Sequence, residues 1–108
     1  MLILFDHGTP GPLHLFLTGH MVRKTKELCW DTLGNGELLN EAERAGFEVF
    51  VTTDKNIRYQ QNLANRVIAI VVLGNSRWPM VKRYADRVVA AVGAAKPGSY
   101  IEVEIPDR

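Results

Sequence analysis

The chain has 108 residues, 46% hydrophobic and 23% charged, with a formal net charge of +1 and one cysteine. That profile predicts a single domain over residues 1–108, with one core able to bury about two-thirds of the surface the unfolded chain exposes. It excludes an internal disulfide framework, a cysteine-based zinc site and an apolar run near the ~20 residues of a membrane span. The apolar start Met1–Phe5 is too short for a signal peptide and has no basic leader, so the expectation is a cytoplasmic protein.

The charge is unevenly distributed. Residues 1–26 carry +2, residues 27–54 carry −6, residues 55–87 carry +6 and residues 88–108 carry −1. Opposite blocks can pair across a folded surface. They also suit an acidic site flanked by a basic surface, as in a metal-dependent enzyme acting on a polyanion.

In chain order, Met1 to Phe5 is apolar on both faces and stops at Asp6-His7-Gly8-Thr9-Pro10, which predicts a buried central strand followed by a turn. Leu13 to Leu17 suits a short helix with Pro12 in its first turn, stopped by Gly19. His20 to Glu27 reads as a more exposed strand, and Cys29 as a small buried hydrophobe beside Trp30. Gly34-Asn35-Gly36 is a loop with Asn35 as helix N-cap, before a helix whose stripe is Leu38, Leu39, Ala42 and Ala45 and whose stop is Gly46. Phe47 to Val51 is a strand delivering Thr52-Thr53-Asp54, and Val67 to Leu73 is the most strand-like run. A helix over Trp78 to Ala94 buries Trp78, Val81, Ala85, Val88, Val89 and Val92. A Pro97-Gly98 turn and an alternating edge strand, Tyr100 to Ile105, complete the chain. Alternating strands and helices predict an α/β three-layer α/β/α sandwich with a mainly parallel central sheet.

In such sheets function gathers beyond the C-terminal strand ends. Asp6 and Asp54 each follow an apolar strand, and Glu37 starts the helix between them. Converging carboxylates repel, and a hard cation such as Mg2+ or Mn2+ relieves them. Each acid also has a plain structural use: Asp6 as a turn cap, Asp54 in an Asx turn with Asn56, Glu37 as a first-turn helix-dipole residue. His7 is placed to reach a pocket at Asp6, or to bond backbone. Lys55, Arg58, Tyr59 and Arg66 suit phosphate contact and base stacking, or a solvated loop.

Asp6 followed by Pro10, Asn35-Gly36-Glu37-Leu38-Leu39, Ala42, Gly46-Phe47, Thr52-Thr53-Asp54-Lys55-Asn56 and Ile68–Leu73 together resemble the small prokaryotic PIN-like domain proteins, a group of nucleases and toxin components. The resemblance spans nearly the whole chain. It implies a metal-dependent ribonuclease, a hydrolase of RNA phosphodiester bonds, with catalytic and metal-binding residues Asp6, Glu37 and Asp54. Thr53, Asn56 and His7 would support them, and Lys55, Arg58, Tyr59 and Arg66 would contact RNA. Mg2+ or Mn2+ would polarise the scissile phosphate and lower the pKa of the attacking water. An antitoxin-like protein partner or a homodimer fits a toxin–antitoxin role. The fourth acid of the pattern is an amide here, Asn56, which favours a competing expectation: a catalytically weak module binding RNA or a protein partner. A phosphoryl-accepting receiver-like domain is disfavoured, because residues 1–12 hold one acid and Leu73-Gly74-Asn75 holds no lysine.

Overall fold

The computed structural model describes residues 1–107. Five strands, β1 (Leu2–Phe5), β2 (Met21–Lys24), β3 (Val49–Thr52), β4 (Ala69–Leu73) and β5 (Tyr100–Val103), form one all-parallel sheet in the order β2-β1-β3-β4-β5. The helices are α1 (Asn35–Arg44), α2 (Ile57–Gln60), α3 (Trp78–Arg83) and α4 (Ala85–Ala94), with 3-10 segments at Gly11–Phe16 and Thr25–Leu28.

The three central strands are buried on both faces because their residues alternate between two cores. Ile3, Phe5, Val49, Val51, Ala69, Val71 and Leu73 pack with Leu13, Val81, Val88 and Val92 from the first 3-10 segment, α3 and α4. Leu4, Phe50, Ile70 and Val72 pack with Leu38, Leu39 and Ala42 of α1 and Ile57 of α2. Both layers therefore depend on the sheet, and truncating the fully buried Phe50 to alanine would cost about 3–5 kcal/mol. Among the described residues no helix is long and apolar enough to cross a membrane.

Five local expectations are corrected. The exposed strand ends at Lys24, and Thr25–Leu28 turns as a 3-10 segment. Glu27 accepts a hydrogen bond from the Lys24 amide at 3.0 Å, so the carboxylate caps a turn instead of lying along a strand. Cys29 is exposed, not buried, and closes that turn in the left-handed region at φ 59°. Asn35 is the first helical residue and Gly34 the N-cap, because the Asn35 amide is engaged elsewhere. The long C-terminal helix breaks at Tyr84 into α3 and α4, which keeps Val81, Ala85, Val88 and Val92 on the sheet while leaving Val89 40% exposed. Ala45 is also outside the stripe, exposed at the end of α1, and Gly46 takes the expected left-handed conformation at φ 89°.

The sheet order sets where a site can form. The chain runs from β1 outward to β2, then crosses back over β1 to β3, so the connections leaving β1 and β3 diverge to opposite sides. This is a topological switch point, and it opens a crevice beyond the C-terminal ends of β1 and β3.

Candidate functional site

The switch point delivers Asp6 and Asp54 to one concavity. Asp6 directly follows β1, and its amide extends the pairing by donating to Val51 O at 2.9 Å. Asp54 stands two residues beyond β3. A hollow of about 250 Å3 holds both, walled by His7, Gly8, Trp30, Asp31, Leu33, Asn35, Leu38 and Thr53.

Each carboxylate is held at both oxygens. The Thr52 hydroxyl donates to Asp6 Oδ2 at 2.8 Å, and the His7 amide donates to Asp6 Oδ1 at 2.9 Å. Asn35 Nδ2 donates to Asp54 Oδ2 at 3.1 Å, and the Asn56 amide donates to Asp54 Oδ1 at 2.9 Å. Thr52 also accepts from the Asp54 amide at 3.1 Å, so one buried hydroxyl joins the two acids. Each oxygen keeps a further lone pair, since a carboxylate offers about four acceptor positions in all. The turn and Asx roles weighed from the sequence are therefore both present, and neither uses up the carboxylates.

The sequence did not reveal the residue beneath the acids, nor several of the wall residues. Thr52, not Thr53, is the carboxylate's hydroxyl partner; strand alternation buries its side chain beneath the acids, a signal legible only once the register is known. Asn35 reaches across from α1 to Asp54, and Asp31 adds a third acid to the wall from an unremarkable loop.

The remaining expected residues divide. Thr53 lines the concavity beside Gly8, where an added Cβ would stand 2.6 Å from Thr53 Oγ1. His7 lies at the mouth, its ring 75% exposed and Nδ1 3.5 Å from Asp6 Oδ1. Glu37 is exposed in the first turn of α1 and does not line the hollow. Asn56 joins through its amide. Lys55 lines two hollows further along the same end of the sheet, the nearer of which shares Thr53 with the site. Arg58 lies against the Tyr59 ring at 4.8 Å and 3.3 Å from Glu102, with the Tyr100 ring 5.7 Å away. Arg66 precedes β4, at the opposite end of the sheet, where it binds Glu43 at 2.7 Å and Asn40 at 2.6 Å.

The hollow's electrostatics are one-sided. Three aspartates line it and no lysine or arginine does. Among the described residues no group of three His, Cys, Asp or Glu side chains is placed to hold a metal ion; Asp6 and Asp54 are the two carboxylates of the hollow that hydrogen bonds hold in place. Two carboxylates with room beside them would suit Mg2+ or Mn2+, which keep several waters and share phosphate oxygens, better than Zn2+. Compared with models of protein families, with curated proteins and with solved structures, the chain matches none.

Proposed function

We propose that the chain is a PIN-like α/β/α domain that hydrolyses RNA phosphodiester bonds with Mg2+ or Mn2+. The observation that carries this reading is the pairing of Asp6 and Asp54 in one acidic hollow at the switch point, with no lysine or arginine to neutralise them. Such a pair repels anionic RNA unless a cation is present, so the phosphate can approach only with a cation in the hollow.

Asp6 and Asp54 would hold the cation, which would offset the charge that builds on the phosphate during hydrolysis. Thr52 and Asn35 fix the carboxylates in advance, so little reorganisation is needed on loading. Lys55, exposed along the neighbouring hollows, supplies a positive charge for the flanking phosphates. Arg58 becomes available to RNA on releasing Glu102.

A second reading is favoured by Glu37 and Asn56. With Glu37 outside the hollow and an amide at 56, the catalytic set reduces to two acids, as in a module that binds RNA or a protein without cutting.

Calorimetric titration with Mn2+ and Mg2+, alongside RNA cleavage, separates the two. The nuclease reading expects binding in the millimolar range or tighter, lost in Asp54→Asn, and cleavage lost in both Asp6→Asn and Asp54→Asn. Cleavage that survives either substitution overturns it. No cation binding by the parent chain, with RNA still bound, establishes the module.

A further inference from the structure

An indole shares the hollow with the two aspartates. Trp30 lines it together with Leu33 and Leu38, giving the cavity apolar lining as well as acidic lining. The ring is held in place: it meets Phe47 edge-on, centroids 5.9 Å apart at 71°, and is half-buried against the α1-side core. Its backbone is fixed as well. The Trp30 amide donates to Thr25 O at 2.9 Å, and the Leu33 amide donates to Trp30 O at 3.1 Å. The turn presenting it is strained, because Cys29 is the only non-glycine residue among those described with positive φ.

We propose that Trp30 is the stacking wall of a nucleobase subsite, a positioning residue that seats one unstacked base beside the Asp6–Asp54 pair. The inference rests on the RNA reading and adds how the substrate is oriented. A mixed wall of this kind matches a nucleotide, whose base is a flat apolar face and whose phosphate is an anion. The volume, about 250 Å3, lies below the ~300–1,000 Å3 of pockets for drug-sized ligands, so it suits a single ring system and not a stacked duplex. Stacking tolerates any base, so the subsite selects for unpaired nucleotides without selecting sequence.

Trp78 is the other tryptophan, and it packs with Phe16 on the opposite face of the sheet, so Trp78→Phe leaves Trp30 as sole indole reporter. Stopped-flow mixing of that variant with hexauridylate in Mg2+ reads binding before turnover, and an abasic ribose-phosphate oligomer of equal length is the control. The expected result is quenching of Trp30 by hexauridylate and none by the abasic oligomer. Trp30→Ala should weaken hexauridylate binding by about 5- to 150-fold, the range of one lost base–aromatic stack, and leave abasic binding unchanged. Trp30→Phe should recover most of the loss, and Trp30→Leu, which keeps apolar bulk without an aromatic face, replaces the alanine variant if that chain does not fold. Hexauridylate that binds by anisotropy without altering Trp30 emission overturns the subsite and leaves the nuclease reading intact. Equal weakening of both oligomers by the Trp30 substitution also overturns it. Failure of the parent chain to bind either oligomer overturns both.

Discussion

Thr52 and Asp6, 46 positions apart in sequence, are joined by a 2.8 Å hydrogen bond, and the same hydroxyl accepts from the Asp54 amide at 3.1 Å. The site's two acids are thus positioned by one fully buried side chain on β3. Thr52→Val keeps the shape, removes the donor to a carboxylate and orphans the Asp54 amide. The expected loss is about 1–3 kcal/mol of unfolding free energy, read by urea denaturation. Manganese affinity should fall in parallel, because Asp6 loses its orienting partner.

Cys29 stands in the left-handed region at φ 59°, exposed, with its amide donating to Lys26 O. Glycine adopts that backbone without the Cβ clash. Cys29→Gly is therefore expected to raise stability by about 0.5–1 kcal/mol despite the added freedom of its unfolded chain. A lower urea midpoint would mean that the cysteine side chain contributes packing that outweighs the backbone strain.

The sheet was legible in the sequence because buried parallel strands are continuous apolar runs. Ile3–Phe5, Phe50–Val51 and Ala69–Leu73 have no other use in a small α/β domain. Asp6 and Asp54 were legible for the same reason, as charges set directly beyond those runs. Strand order was not, since the crossover from β2 back to β3 depends on contacts between residues far apart. The walls of the hollow follow from that order, so nothing local marked Trp30, Asp31 and Asn35 as its lining. Glu37 misled because a first-turn acid reads alike whether the helix turns it toward the crevice or toward water.

Gly8 marks how closely the β1 loop approaches β3. A Cβ there would meet Thr53 Oγ1 at 2.6 Å, closer than atoms in contact tolerate. Gly8→Ala should displace Thr53 or the loop bearing Asp6, costing about 1–3 kcal/mol as local overpacking. Cation affinity, measured by calorimetry, is expected to fall even where circular dichroism shows the fold retained.

At the other end of the sheet, Glu43 closes the entry to β4. Its carboxylate takes Arg66 at 2.7 Å, the Val67 amide at 2.6 Å and the Ile68 amide at 3.2 Å. Burial alone would raise its pKa; the hydrogen bonds from Arg66, Val67 and Ile68 and the guanidinium charge outweigh it and hold the value below the ordinary 4.5. The unfolded chain therefore takes up a proton at Glu43 before the folded chain does, and stability falls with pH in that window. The contribution is complete above about pH 4.5, the ordinary value, and is lost as pH drops through the lower folded-state value. Glu43→Gln should cost about 1–3 kcal/mol at neutral pH, because Arg66 is left without its charge partner and two amides lose an anionic acceptor. Measured by urea unfolding, the gap between parent and variant should narrow progressively below pH 4.5. A gap that stays constant to pH 3 would show that Glu43 acts by packing and not by charge.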